Sequence, residues 1–171
     1  MIGAIVGDIV GSVYEFNNIR RKDFEFIGDK NSYTDDTVMT IAIMEWLMNR
    51  EESVVSYLQK WGRKYPTSYG GRFGRWIFEE NPQPYYSFGN GAAMRISPVA
   101  YVAKDLKDLE ELVMEATKVT HDHPEGIKGA LTTAMCIYLA LNGFTKKEIE
   151  RYAISQYPEI ESFSYTELQY T

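Results

Sequence analysis

The sequence predicts an all-α protein that forms a single domain over residues 1–171. Apolar residues recur three and four positions apart along most of the chain, which is the period of an amphipathic helix, and alternating strand patterns are scarce. Hydrophobic residues make up 44% of the chain and charged residues 25%, a composition typical of a folded globular domain.

The first predicted helix covers residues 2–16 and carries a stripe of small residues. Its glycines stand four positions apart, at Gly3, Gly7 and Gly11. Small residues at this spacing allow another helix, a ligand or a metal to come close. Asp8, Ser12 and Glu15 follow at i, i+4 and i+7, so we expect their side chains to share one helix face.

A polar loop is expected over residues 17–33, and a buried helix follows it. Thr34 or Asp35 can cap the start of that helix, whose residues 38–47 are apolar on nearly all sides. Another helix is predicted over residues 53–64.

Residues 65–90 are rich in glycine, proline and aromatic residues, and we expect only a short helix there, at about 72–80. A long aromatic connection of this kind favours a loop that lines a site over a plain linker.

The remaining predicted helices cover residues 91–103, 105–120 and 124–142, and a further helix begins at Thr145. Pro124 suits a first helical position, and Asn142-Gly143 suits a helix end. Thr145 and Glu148 have the spacing of a capping box. The tail over 157–171 shows no clear period.

Three clusters carry residue types suited to chemistry. The adjacent acids of Thr34-Asp35-Asp36 repel each other unless a cation or hydrogen-bond donors compensate. They can therefore bind Mg²⁺, Mn²⁺ or Ca²⁺ through oxygen, or they can simply cap a helix.

The second cluster, Phe88 to Arg95, has glycines that can present backbone N–H groups to phosphate, or that can form an ordinary turn before a helix. Arg95 could add charge there or anchor the structure through carboxylates. The third cluster holds the two histidines, His121 and His123, which could bind a metal, contact a substrate or cap a helix. Zinc is not expected, because Cys136 is isolated and a third histidine is absent.

The overall charge and the cysteine content exclude some classes of partner. The formal net charge is −6, so general binding to nucleic acid phosphates is not expected. No apolar run is long enough to span a bilayer, so we expect no membrane partner. Cys136 is the single cysteine, which excludes an intramolecular disulfide, and the first residues lack the pattern of a signal peptide. We therefore expect a cytoplasmic protein.

Taken in order, four motifs resemble those of the ADP-ribosylglycohydrolase family, which includes dinitrogenase reductase-activating glycohydrolase and the ADP-ribose hydrolases of animals. The motifs are Gly7-Asp8-x-x-Gly11-Ser12-x-x-Glu15, Thr34-Asp35-Asp36-Thr37-x-Met39-Thr40, Gly89-Asn90-Gly91-Ala92-Ala93-Met94-Arg95 and Thr120-His121-x-His123-Pro124. The resemblance covers nearly the whole chain.

The resemblance implies a compact orthogonal bundle of helices with a two-metal Mg²⁺ or Mn²⁺ site. It also implies a hydrolase that cleaves the glycosidic bond of ADP-ribose attached to a protein, a nucleic acid or a small molecule. It implies Glu15 as the catalytic carboxylate near the scissile bond, acting as general acid or base, and Asp8 and Arg95 as structural supports. The implied metal ligands are Thr34, Asp35 and Asp36, and the implied substrate-binding residues are Gly89, Asn90, Gly91, Ala92, Met94 and His121.

One part of the family pattern is missing. A later Asp-x-Asp-Thr motif completes the metal site in the family, but residues 124–171 contain no aspartate. We therefore expect an incomplete, N-terminal portion of the domain with part of the metal shell. Three explanations stay open: the chain is a truncated product, a second chain or another copy supplies the rest, or hydrolysis has been lost. In the last case the chain is a non-catalytic module that binds ADP-ribose or regulates a partner.

Overall fold

A computed structural model describes residues 1–19, 21–67 and 69–162, and within these ranges it contains helices and loops but no β-strand. The α-helices are α1 (Ile2–Gly11), α2 (Asp35–Asn49), α3 (Val54–Lys64), α4 (Gly71–Trp76), α5 (Val99–Val102), α6 (Leu106–Lys118), α7 (Pro124–Leu141) and α8 (Lys146–Gln156). A 3₁₀ helix follows at Pro158–Ser162. The all-α prediction is confirmed, and the end of the predicted tail, 163–171, lies outside the described residues.

The core is formed by two groups of helices, one centred on α2 and the other on α7, and α5 packs against both. Helix α2 packs against α1, α3 and α5, and α7 packs against α5, α6 and α8. As predicted, α2 is buried along most of its length. The largest side chains that are almost fully buried are Trp46, Trp76, Arg95, Met39, Ile43 and Leu58. Arg95 is the one ionisable member of this set, and the polar groups around it are described with the candidate site below.

Most helix starts follow the predicted capping pattern. Thr34 caps α2, and Thr145 with Glu148 forms the complete capping box of α8. His123 caps α7 by accepting a hydrogen bond at Nδ1 from the N–H of Glu125 (3.0 Å). Side chains that accept these otherwise unpaired N–H groups fix where each helix begins.

Helix α1 is shorter than predicted. It ends at Gly11, and the chain turns through Ser12 to Tyr14, so Glu15 lies beyond the helix instead of sharing its face with Asp8. Within the described chain nothing lies within 4 Å of where a Cβ would be on any glycine of the stripe. Ile2 is 79% exposed, so most of this apolar helix faces solvent.

The predicted helix over residues 91–103 is wrong for most of its length. Turns occupy the start of the segment, and only the short α5 is helical. The residue before a proline is disfavoured in the α conformation, so Pro98 interrupts the segment and stands instead as the N-cap of α5. The short helix predicted at 72–80 is α4, which ends earlier, at Trp76.

In the described part of the chain, no helix is both long and apolar enough to cross a membrane.

Candidate functional site

The acidic start of α2 is joined to α1 by Asp8. The carboxylate of Asp8 accepts hydrogen bonds from the Thr34 N–H (2.8 Å), the Thr34 hydroxyl (2.6 Å) and the Thr37 N–H (3.2 Å). The Thr34 hydroxyl oxygen accepts in turn from the N–H of Asp36 (3.3 Å). Asp8 therefore supports the helix start, as the resemblance implied.

The two acids that follow Thr34 do not use their carboxylates for this cap. Burial, as the largest cause, and the negative charges of Asp8, Asp35 and Glu15 together raise the pKa of Asp36 to about 6. Burial also raises the pKa of Asp35. None of the ion pairs found among the described residues involves either acid. A bound cation would relieve both the burial cost and the repulsion.

The oxygen donors at this helix start fit a hard divalent cation such as Mg²⁺ or Mn²⁺. Asp35 and Asp36 supply carboxylate oxygens, and the Thr34 hydroxyl retains a lone pair. However, no three His, Cys, Asp or Glu side chains within 1–19, 21–67 and 69–162 are grouped closely enough to hold a metal ion. The residues thus fit one side of a cation site, and the other ligands would have to come from water, substrate or another segment.

A cavity of about 350 Å³ lies beside Asp35. Its volume is at the lower end of the range typical of small-molecule sites, roughly 300–1,000 Å³. The residues that line it are Asp35, Gly70, Gly71, Arg72, Phe73, Tyr85, Ser87, Gly89, Gly91, Met94, Arg95 and His121. We call this cavity the central pocket. The lining therefore combines one acidic residue, Asp35, with two basic residues, Arg72 and Arg95.

The loop of residues 89–94, which we call the glycine loop, packs tightly on residues 120–124, which we call the histidine segment. A Cβ at Gly91 would lie 3.1 Å from both Cε1 and Nε2 of His121. A Cβ at Gly126 would lie 2.7 Å from the carbonyl oxygen of Ser87, which is closer than real Cβ atoms come. The absence of side chains at these two positions therefore lets the loop, His121 and the start of α7 meet at one wall of the pocket.

Backbone hydrogen bonds hold residues 85–87 against the same segment. The carbonyl oxygen of Thr120 accepts from the N–H groups of Tyr85 (3.5 Å) and Ser87 (3.4 Å). Tyr86 lies between them with a φ of 55°, which is strained for a non-glycine residue. Its N–H donates to Oδ1 of Asp122 (2.7 Å), which favours this conformation.

Arg95 supports this wall from inside the protein. It is 1% exposed, and its Nη2 donates to the carbonyl oxygen of Ala116 (2.9 Å) and to the hydroxyl oxygen of Thr120 (2.9 Å). The partners are a carbonyl and a hydroxyl, not the carboxylates anticipated from the sequence. Burial lowers the pKa of Arg95 to about 10, so the group is still protonated at neutral pH.

His121 is also buried, at 4% exposed. Burial is the main cause that lowers its pKa to about 4, the positive charge of Arg95 adds to the effect, and Asp122 opposes it. The imidazole is therefore neutral at pH 7, so it can act as a hydrogen-bond donor or acceptor but does not supply a positive charge.

The predicted site residues divide into two groups. Those that line the central pocket are Asp35, Gly89, Gly91, Met94 and His121, and those that do not are Glu15, Thr34, Asp36, Asn90 and Ala92. Ala92 is buried in the core, and Asn90 is exposed. Glu15 is exposed on the turn after α1, although its charge reaches Asp35 and Asp36.

The 65–90 connection contributes to the pocket, as its composition predicts, through residues that the sequence does not single out. These are Gly70, Gly71, Arg72, Phe73, Tyr85 and Ser87. Arg72 donates from Nη1 to the carbonyl oxygen of Tyr85 (3.0 Å), which holds its guanidinium at the pocket. The Tyr69-Gly70-Gly71 turn was a local signal, but nothing in the sequence distinguished Arg72 from other surface arginines.

Fold and site together define a helical protein with a pocket between an acidic helix start and a glycine loop. The chain belongs to the ADP-ribosylglycohydrolase family, whose model matches residues 1–170.

Individual relatives agree with this assignment. The chain is similar to ADP-ribosylhydrolase ARH3 of Bos taurus, with 25% identity over 183 residues that cover 86% of this chain and 50% of the relative. The same protein of Xenopus tropicalis is 26% identical over 174 residues, which cover 84% of this chain and 49% of the relative. ARH3 of Homo sapiens is 25% identical, with 86% and 50% covered. The chain thus spans about half the length of the curated relatives that it matches.

Proposed function

We propose that this protein is a divalent-metal-dependent hydrolase that cleaves the glycosidic bond between ADP-ribose and a modified protein, nucleic acid or small molecule. One observation carries the proposal. Asp35, the glycine loop and His121 are far apart in the sequence, yet all of them line the central pocket. Family membership supports the ADP-ribosyl substrate.

Each region of the pocket suits a different part of such a substrate. Thr34, Asp35 and Asp36 are the proposed ligands of Mg²⁺ or Mn²⁺. A cation there would hold ribose hydroxyls and orient a water molecule. The loop from Gly89 to Met94, including Asn90, Gly91 and Ala92, would bind the diphosphate and the nearby ribose through backbone N–H groups.

Glu15 is the proposed acid or base. Glycosidic cleavage passes through an oxocarbenium-like state, and a carboxyl group can donate a proton to the leaving group or accept one from the attacking water. The exposed position of Glu15 on a short turn leaves its side chain free of a fixed helix geometry.

The test is release of ADP-ribose from a modified protein in the presence of Mg²⁺ or Mn²⁺. We expect release that EDTA abolishes, and we expect Asp36→Asn to reduce it at least about 100-fold, in the range seen when a group that orients or stabilises the reacting atoms is lost. Asp29→Asn, an exposed acid away from the pocket, is the matched control and should retain full activity. Release that persists in EDTA and in Asp36→Asn would contradict the metal-dependent mechanism.

A second candidate is a module that binds ADP-ribose without hydrolysing it. It is favoured by the lack of a three-ligand group in the described residues. ADP-ribose binding without turnover would support this candidate, and turnover would exclude it.

Another copy or a second chain could complete the metal shell. The exposed face of α1, with Ile2 and Val6, supports this proposal. Sedimentation across a concentration series would detect a homo-oligomer, and a monomer at all concentrations would exclude self-association. A cytoplasmic location is proposed from the single cysteine, Cys136, and localisation of a tagged protein tests it.

A further inference from the structure

Three side chains form a short hydrogen-bonded row behind the central pocket. Nη2 of Arg95 lies 2.9 Å from the hydroxyl oxygen of Thr120, and that oxygen lies 2.8 Å from Nδ1 of His121. All three residues are buried, so water does not compete for these contacts. The direction of each hydrogen bond therefore follows from what each group can donate or accept.

Arg95 sets the direction at the first contact. A guanidinium only donates hydrogen bonds, so the Thr120 oxygen must accept from Arg95. The hydroxyl then has one hydrogen left to donate. Among the described residues, the acceptor found within hydrogen-bonding distance of this hydroxyl is Nδ1 of His121. The hydroxyl hydrogen therefore points to Nδ1, and Nδ1 must be unprotonated.

The opposite direction would be costly. If Nδ1 carried the hydrogen, the Thr120 oxygen would accept from two donors, and its own hydrogen would be buried without a partner. Burying a hydroxyl hydrogen without a partner loses its hydrogen bonds to water and gains none in return. The remaining imidazole nitrogen, Nε2, lies next to Gly91, and both Gly91 and His121 line the central pocket.

We infer that Arg95 is a positioning residue which, through the Thr120 hydroxyl, holds His121 as the neutral Nε2–H tautomer, so that His121 donates a hydrogen bond to an oxygen of the ligand. The Asp122 carboxylate and the Tyr85 ring are the other groups that act on this imidazole, and neither is hydrogen-bonded to Nδ1. Only the identity of the ligand, an ADP-ribose oxygen, rests on the proposed function. The tautomer follows from the contacts of the unliganded chain.

The tautomer is measured directly by ¹⁵N NMR of the imidazole nitrogens at pH 7 in the full chain without ligand. The chain has two histidines, and His123→Asn keeps a capping side chain while removing the second signal. We expect His121 to have a protonated Nε2 and an unprotonated Nδ1. A protonated Nδ1, or an imidazolium with both nitrogens protonated, would overturn the inference.

A matched pair at Thr120 tests the role of the hydroxyl. Thr120→Val has nearly the same shape but no hydroxyl, and we expect it to give a mixture of tautomers. Thr120→Ser keeps the hydroxyl and should retain the wild-type pattern. An unchanged pattern in Thr120→Val would contradict the inference.

Arg95 is tested by two further variants. Arg95→Lys retains a donor and should preserve the tautomer, whereas Arg95→Gln, whose amide oxygen can accept the hydroxyl hydrogen, should relax it. Equal tautomer populations in the two variants would contradict the role of Arg95. The Thr120 pair remains decisive where burial prevents an Arg95 variant from folding.

The ligand contact is tested separately, by calorimetry with ADP-ribose. The apparent Kd rises as the population of the donating tautomer falls, so it should rise about twofold in Thr120→Val for an equal mixture of tautomers and stay unchanged in Thr120→Ser. An unchanged Kd in Thr120→Val would contradict the ligand contact. Absence of binding by the wild type would instead contradict the proposed function and would leave the tautomer result standing.

Discussion

Asp8→Ala should release α1 from the rest of the protein without unfolding the core. Helix α1 buries little apolar surface, since Val10 is its one buried residue. Its attachment depends instead on hydrogen bonds, and the carboxylate of Asp8 accepts three of them, from Thr34 and Thr37. Asn31 provides a smaller tie by donating from Nδ2 to the carbonyl oxygens of Ile9 and Val10.

The size of the effect follows from these contacts. A hydrogen bond to a charged acceptor contributes about 1.5–3 kcal/mol, but water can replace part of that at a half-buried site. We therefore expect a loss of about 2–3 kcal/mol in the free energy that holds α1 in place. A domain is typically stable by about 5–15 kcal/mol, so the remainder of the fold should persist.

Hydrogen exchange read by mass spectrometry distinguishes local release from global unfolding. Amides of α1 should exchange about 30- to 150-fold faster in Asp8→Ala, and those of α6 and α7 should exchange at the wild-type rate. Asp105→Ala is the matched control, because Asp105 also caps a helix but lies at the start of α6. Unchanged exchange in α1, or equal acceleration in α7, would refute the reasoning.

Other predictions concern the acidic helix start and the glycines. Between about pH 4 and pH 6 the folded state keeps a proton on Asp36 that the unfolded state has lost, so metal-free stability should fall as the pH rises through this window. In thermal melts of Asp36→Asn, stability should fall less steeply with pH than in the wild type. An equally steep fall would contradict Asp36 as the group responsible. Gly126→Ala, which meets a carbonyl oxygen at 2.7 Å, should lose about 1–3 kcal/mol in urea denaturation, whereas Gly129→Ala in the same helix has room and should gain up to about 1 kcal/mol. A Gly126→Ala protein more stable than Gly129→Ala would contradict the close contact at Gly126. Gly91→Ala should move the ring of His121 and weaken ADP-ribose binding in calorimetry, and wild-type affinity would show that the close approach is not required.

The sequence predicted those parts of the fold that depend on local signals. The starts of α2, α7 and α8 were predicted because a capping side chain or a proline fixes each of them. A helix was also predicted over 91–103, but Pro98 and the contact between Gly91 and His121 favour turns there. Where local propensity was weak, tertiary packing therefore determined whether the segment is helical.

The same division applies to the candidate site. Motifs identified Asp35, the glycine loop and His121, which line one pocket. They did not identify Arg72, because its position at the pocket depends on a hydrogen bond to Tyr85, a residue thirteen positions further along the chain. The pairing of Arg95 with Thr120 was equally hidden, since the sequence does not reveal which polar groups share a buried environment.

Glu15 shows how an error in a helix boundary changes the interpretation of a site. The i, i+7 spacing from Asp8 predicted one shared helix face, but α1 ends at Gly11 and the chain then turns. The carboxylate of Glu15 still raises the pKa values of Asp35 and Asp36. It therefore lies near the start of α2, although the turn after α1 and not the helix positions it.

Calorimetric titration of ADP-ribose into this chain, with Mg²⁺ and with EDTA, tests the central claim most directly, because it asks whether the pocket between Asp35 and His121 accepts the ligand at all. The account predicts saturable one-to-one binding that is tighter with Mg²⁺ and weaker in Asp35→Asn. No binding at millimolar ADP-ribose in either condition would contradict it.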